Sequence, residues 1–348
     1  MLPDILSAYG LHPDENLIEP FGSGLINHTW KVTGDTGTFI LQQINKNIFK
    51  HPHAIADNLL LLDEYFNQNA PGYIFPAPLA TTHGRHLVQV DGEFYRLLPF
   101  VKKSHTVNAI DAPAQAYEAA RQFGKFSRLL HDFDASHLKY TLPDFHNLNL
   151  RVEQFNTALQ NATSDRLSQT LEEVKAIQAN ADIADTYRQL VQGKQIPLRV
   201  IHHDTKINNV LFDDNHKGLC VIDLDTVMPG YYISDVGDMM RTYLSAANEE
   251  EQDLEKVQVS TDNFGAIHRG YMNQMGDVLT AYEKSLFIYS GKFMIYMQAL
   301  RFLTDYLNGD VYYHTQYPGH NLKRAQNQLT LLNRYLQAEE TFKELIAQ

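Results

Sequence analysis

The strongest constraint on this chain is the run Ile201-His202-His203-Asp204-Thr205-Lys206-Ile207-Asn208-Asn209, followed by Val221-Ile222-Asp223-Leu224-Asp225. An Asp, an Asn five residues on, and a second Asp after an apolar segment are what phosphoryl transfer from a nucleotide asks of a chain. That chemistry needs a carboxylate to receive the proton of the attacking hydroxyl, and oxygen ligands that hold magnesium on the phosphates. In this reading Asp204 is the carboxylate, and Asn209 and Asp223 are the metal ligands. Apolar segments at Leu198 to Ile201 and Val210 to Phe212 flank the loop as strands would. The competing reading is a polar hairpin with Asp204 and Asn209 as turn residues. It leaves the acidic end of the next apolar strand unexplained.

The rest of the chain is organised around that loop. Residues 17–44 read as three strands, with a glycine turn after Phe21 and a hairpin turn at Gly34-Asp35-Thr36-Gly37. Residues 54–69 read as a helix with Ile55, Leu59, Leu62 and Phe66 on one face. Two more strands, 85–90 and 93–100, are joined by the Asp91-Gly92 turn. From about Asp111 the pattern becomes helical, beginning with a helix opened by Pro113 and running to about Asp132. Residues 150–192 are polar and helical. The expected fold class is α+β with two lobes. A small antiparallel-sheet lobe with one helix spans 1–101, and a large mainly helical lobe spans 102–348. Their junction, near Phe100 to Ser104, is the expected ligand cleft.

Bulk properties narrow the function. With 348 residues there is length for two lobes, and 44% hydrophobic with 20% charged residues is ordinary for a globular protein. The formal net charge of -12 argues against a nucleic-acid partner. The single cysteine, Cys220, sits in an apolar strand and reads as a core thiol. No segment is long and apolar enough to span a membrane, and the N-terminus has no signal-peptide pattern. The expected location is the cytoplasm.

Phe21-Gly22-Ser23-Gly24-Leu25-Ile26-Asn27 lies between the first two strands, where glycines let backbone N–H groups approach phosphates. It is not a Walker A loop, since no Gly-Lys-Ser or Gly-Lys-Thr follows. A plain hairpin turn is the simpler alternative.

Together with Phe39 to Asn45, Ile222 to Gly230, Ser234 to Arg241 and Arg301 to Tyr312, these motifs resemble the aminoglycoside phosphotransferase-like kinases, which share a protein-kinase-like fold. The branch most similar is that of the N-acetylhexosamine 1-kinases. The resemblance spans about residues 17 to 330. It implies ATP and Mg2+ as cofactors, Asp204 as catalytic base, and Asn209 and Asp223 as magnesium ligands. It puts Ser23, Gly24 and Asn27 in the loop over the phosphates. Asp235 and His131 match residues that are structural in that family. The family's third strand carries a Lys or Arg that grips the phosphates, but here the matching residue is Gln42, which has no charge. Lys46 or Lys206 is left to supply it. The helix carboxylate that usually partners the strand cation is Asp57 or Glu64. The middle loop residue is His203, where small-molecule kinases of the family commonly have Gly.

The acceptor is expected to be small. Only ten residues separate Asp223 from Ser234, too few for an activation segment, and no Asp-Phe-Gly or Ala-Pro-Glu is present. A helix from about Ser285 to Asn308 places Phe293, Met297 and Leu300 on an apolar side and Arg301, Asp305 and Asn308 on another. Tyr312, Tyr313, His314 and Tyr317 follow. Guanidinium, carboxylate and aromatic groups suit a sugar, so Arg301, Asp305 and Tyr312, with His28 and Asp225 beside the cleft, are the candidate acceptor residues. The alternative for Arg301 and Asp305 is a surface ion pair. The favoured reaction is transfer of the γ-phosphate of ATP to the anomeric hydroxyl of an N-acetylhexosamine. The alternatives are an aminoglycoside, choline-like amino alcohol or homoserine as acceptor, or a nucleotide-binding pseudokinase scaffold. Neither a nucleic acid nor a membrane is expected as partner.

Overall fold

The computed structural model describes residues 2–22 and 26–347. Five antiparallel strands form one sheet in the order β1-β2-β3-β5-β4. They are β1 (Asn16–Pro20), β2 (His28–Gly34), β3 (Gly37–Ile44), β4 (Val88–Val90) and β5 (Glu93–Pro99). The sequence suggested a strand over 85–90, but only its last three residues pair. The turn into β5 works because Asp91 and Gly92 both take positive φ, 53° and 77°, as a two-residue hairpin on a right-twisted ribbon requires.

Alternation along the strands sorts the two faces of this sheet. Val32, Leu41, Tyr95 and Leu97 are buried on one face under α1 (Leu2–Ala8), which supplies Ile5 and Leu6. The other face carries Thr29, Gln42 and Arg96, which the strand register places side by side across β2, β3 and β5. Helix α2 (Pro52–Asn69) buries Ile55, Leu59, Leu62 and Phe66, as its periodicity predicts. Those side chains join the same core as the helical lobe, with Phe66 ringed by Tyr73, Phe75 and Phe126.

The helical part contains α3 (Pro113–Leu129), α4 (Leu148–Asn161), α5 (Ser164–Gln169), α6 (Leu171–Ala179), α7 (Asp182–Gln192), α8 (Tyr232–Tyr243), α9 (Thr261–Met275), α10 (Ala281–Ser285), α11 (Phe287–Leu307), α12 (His320–Gln337) and α13 (Glu339–Ala347). Phe293, Met297 and Leu300 of α11 are fully buried, as the sequence indicates. Each such side chain contributes about 1.5–3 kcal/mol relative to exposure. No helix among the described residues is long and apolar enough to cross a membrane.

The segments flanking the Asp204 loop do not pair with each other. β6 (Arg199–Ile201) pairs with β9 (Met228–Gly230), and β7 (Val210–Phe212) pairs with β8 (Gly218–Val221). The simple hairpin reading is therefore corrected: the loop bridges two separate two-stranded sheets. Gly230 permits the close approach of β9, because a Cβ there would lie 2.5 Å from Ile201 Cδ1 and 2.6 Å from His203 Cε1. Cys220 is buried in β8 and unpaired.

Candidate active site

The loop carrying Asp204 is held by buried polar groups on three sides. Asp235, at the start of α8, accepts the backbone N–H of His202 at 2.9 Å and of His203 at 2.7 Å. One turn later Asp238 accepts the N–H of Thr205 at 2.8 Å and is itself bonded by Arg241. Beneath the loop, the His202 ring contacts Phe123 edge to face, and its Nε2 lies 2.9 Å from the Ile222 carbonyl. Burial holds the His202 imidazole below the usual histidine range, so it is neutral. Nε2–H then donates to Ile222, and Nδ1 accepts the N–H of Asp204 at 3.3 Å. These contacts fix the backbone while leaving the Asp204 carboxylate partly exposed.

The same bonds bring the second and third members of the set alongside. Asn209 donates its Nδ2 to the Asp204 carbonyl at 2.9 Å, which turns its Oδ1 to the other side. The N–H of Ile222 donates to the Asn209 carbonyl at 2.8 Å, so Asp223 follows directly beside Asn209. Asp223 adopts a left-handed conformation, φ 58° and ψ 57°, a strained choice for a residue with a Cβ and one that clusters at functional sites. The residue as a whole is exposed, while its carboxyl group is enclosed by neighbouring protein. The protein packed around it, and next the carboxylates of Asp225 and Asp204, push its carboxyl up to about 7. Crowded oxygen donors of this kind suit a hard divalent cation, which relieves their mutual repulsion. Asn209 and Asp223 are the residues that would hold it.

Several expected residues sit differently from the sequence reading. Asp225 does not lie open to the cleft: it is 1% exposed, 2.5 Å from Arg96 Nη1, and accepts Asn27 Nδ2 at 2.8 Å. Asn27 therefore ties the turn before β2 to the segment after Asp223, and its Oδ1 accepts the N–H of Asn45. Gln42 uses its Oε1 to accept both Nε and Nη2 of Arg96, at 3.0 and 2.8 Å. Lys46 is not in the cleft, because it pairs with Glu93 at 2.5 Å beside the β4–β5 turn. Lys206 stands 3.3 Å from Asp204, whose carboxylate holds the ammonium above the usual lysine range. Neither Asp57 nor Glu64 faces β3. Asp57 pairs with Lys139 at the surface, and Glu64 accepts a bond from Gln68. Asn58 does the bridging instead, donating to the carbonyls of Lys139 and Val227 and accepting the N–H of Lys139. Alternation along β2 sends the exposed His28 to the face of Trp30, opposite the Gln42 row. Ser23 and Gly24 lie outside the described residues.

Of the candidate acceptor residues, Arg301, Asp305 and Tyr312 gather at a second pocket of about 490 Å³ between α4, α11 and the segment 311–313. The Arg301 guanidinium lies over the rings of Phe145, Tyr312 and Tyr313, at 5.5, 5.9 and 5.5 Å. Contacts lead from there to the catalytic loop. Phe145 stacks on His146 at 4.4 Å, and His146 Nδ1 is 3.4 Å from His203 Nδ1. Asp305 is revised from ligand contact to support: its carboxylate accepts the N–H groups of Val311, Tyr312 and Tyr313 and the amide of Asn321. It is also not in an ion pair with Arg301. Arg96, Asn58, His146 and Asp238 had no place in the sequence reading. A lone Arg in the apolar run of β5 was the available signal for the first of these, since a buried charge must find a partner.

The model of the phosphotransferase enzyme family matches residues 17–268. Among solved structures, a microcompartment-associated aminopropanol kinase superposes with a TM-score of 0.68 at 15% identity, covering 98% of this chain and 97% of that one. An aminoglycoside phosphotransferase from Alicyclobacillus acidocaldarius gives a TM-score of 0.64 at 13% identity, covering 100% and 97%. A spectinomycin phosphotransferase in complex with ADP and spectinomycin gives 0.60 at 14% identity, covering 97% and 98%. At these identities the likeness is one of fold, and it extends over both lobes.

Proposed function

This chain belongs to the phosphotransferase enzyme family, and from that premise we propose that it transfers the γ-phosphate of ATP to a sugar hydroxyl, the favoured acceptor being the anomeric hydroxyl of an N-acetylhexosamine. Asp204 receives the proton of that hydroxyl and orients it for in-line attack. Asn209 and Asp223 would hold Mg2+, which supplies charge neutralisation on the phosphate oxygens when bound. Lys206, beside Asp204, places a positive charge where the transferring group passes.

The observation that carries the acceptor class is the Arg301 pocket. Aromatic rings suit the C–H faces of a sugar, and a guanidinium donates to its hydroxyl or acetamido oxygens. A second arginine, Arg151, lines the same pocket, and burial followed by the charge of Arg301 lowers its pKa. The two guanidinium groups outnumber the one free carboxylate of the lining, Glu153, and so disfavour a cationic amino alcohol or aminoglycoside. The Asp305 carboxylate, occupied by backbone N–H groups, does not offset them.

The test is an acceptor panel with MgATP: N-acetylglucosamine, N-acetylgalactosamine, an aminoglycoside, choline, homoserine and 1-amino-2-propanol. Sugar 1-phosphate should form, and Asp204→Asn should lower kcat by roughly 10²–10⁴-fold with folding intact. Turnover confined to the amino alcohols would overturn the sugar reading. Full activity of Asp204→Asn would remove the base. Nucleotide binding with no turnover on any acceptor would point to a scaffold.

A further inference from the structure

The family motif expects a cation on β3, and the chain has Gln42 there. We propose that Arg96 on β5 is that cation, holding the β-phosphate of the bound nucleotide from the neighbouring strand. This rests on the nucleotide reading above, though not on the identity of the acceptor.

Three observations lead to it. Strand register sets Arg96 directly opposite Gln42, in the row that turns away from the α1 core. Gln42 then acts as a latch: its single Oε1 takes Nε–H and one Nη2–H of Arg96, and its Nε2 donates to Thr29 at 3.2 Å. The neutral residue at the cation's usual position thus aims a cation from next door. Secondly, the guanidinium is directed at the segment that follows Asp223: Nη1 lies 2.5 Å from Asp225, two residues on. Thirdly, the guanidinium has donors to spare. It carries five N–H groups: Gln42 accepts two of them, and Nη1 meets Asp225 as an ion pair without an aligned hydrogen bond. Arg96 is 2% exposed, so the others have no access to bulk water and, among the described residues, no aligned acceptor. A buried donor without a partner is costly. A phosphate oxygen arriving beside Asp223 would accept from them. Arginine suits that role better than a point charge, because its planar fork can keep Gln42 and Asp225 while donating a further pair.

A purely structural Arg96, present only to neutralise Asp225, makes a different prediction. The discriminating measurement is calorimetric binding of ADP and of adenosine to the full chain, for wild type, Arg96→Gln and Arg96→Lys, with thermal melting of each unliganded protein. If Arg96 holds the β-phosphate, Arg96→Gln should weaken ADP by roughly 10–100-fold, while adenosine changes by less than about twofold, within the scatter of a neutral contact. Arg96→Lys should fall between. Adding Gln42→Lys to Arg96→Gln should restore much of the ADP affinity, because it returns a cation to β3. ADP and adenosine shifting in parallel, or neither shifting in a folded variant, would overturn the assignment. If Arg96→Gln does not fold, the ADP-to-adenosine ratio of Arg96→Lys decides by the same criterion. Failure of the wild type to bind ADP would instead refute the nucleotide reading itself.

Discussion

Asn58 offers the sharpest test of how the sheet lobe is fixed to the catalytic segment. It is 1% exposed on α2 and makes three hydrogen bonds: to the Lys139 carbonyl at 2.8 Å, to the Val227 carbonyl at 3.1 Å, and from the Lys139 N–H at 2.8 Å. Val227 lies two residues beyond Asp225, so the amide clamps the end of the segment that carries Asp223 and Asp225. Asn58→Ala removes all three bonds and leaves three backbone groups short of a partner. At about 1 kcal/mol net per bond, the expected loss is about 3 kcal/mol. Asn58→Asp should be worse. It keeps the acceptor for Lys139 but points a carboxylate oxygen at two carbonyls, and it buries a charge. The neighbour Asp57 is the control. Its ion pair with Lys139 joins side chains 46% and 60% exposed, and such pairs contribute about 0–1 kcal/mol. The assay is urea unfolding followed by circular dichroism and by the single tryptophan, Trp30 of β2. The expected order of stability is wild type, Asp57→Ala, Asn58→Ala, Asn58→Asp. An Asn58→Ala loss below about 1 kcal/mol, or no worse than that of Asp57→Ala, would refute the clamp.

Asp305→Ala releases the N–H groups of residues 311–313, so steady-state kinetics should show the acceptor KM rising by roughly tenfold, as expected for about 1.4 kcal/mol of lost positioning, with the ATP KM unchanged. Equal changes in both would argue for general loosening of the lobe. Burial pushes the Cys220 thiol up to about 12, so it should resist alkylation in the native protein at pH 8 and react fully in urea; fast native labelling would contradict its placement. The sign for stability follows. The unfolded thiol ionises near its ordinary value and the folded one only near 12, so this group lowers stability as pH rises between the two, and has no effect below.

What could be read from the sequence was what is local. The Asp204, Asn209, Asp223 set lies within one short stretch, and the sheet and α2 announce themselves through periodicity and the Asp91-Gly92 turn. What escaped depends on partners far apart in the chain. The Asn58 amide meets Val227 across 169 positions, and Arg96 meets Gln42 across 54. The pairing of β6 with β9 escaped because Met228-Pro229-Gly230 has no strand pattern of its own. Its place is set by the space that Gly230 leaves for His203. Asp305 was misread because an acidic residue on the polar side of a helix gives no sign that a later loop will fold back onto it.

The charges of the cleft argue together for nucleotide chemistry over a scaffold. Asp204, Asp223 and Asp225 put three carboxylates within reach of one another, and Arg96 and Lys206 are the cations that act on them. Left as it stands, that cluster has an excess of negative charge, and Asp223 shows the strain in its raised pKa and its left-handed backbone. A polyanionic nucleotide could not approach it without added positive charge, and a divalent cation between Asp223 and the phosphates is the simplest source. The absence of a lysine on β3 is a reason to favour a scaffold. With Arg96 beside Gln42, the positive charge is displaced by one strand and the reason falls away. A scaffold would have no use for a buried guanidinium latched by a neutral amide and aimed at Asp225, since replacing both Arg96 and Asp225 with apolar groups would cost its fold little.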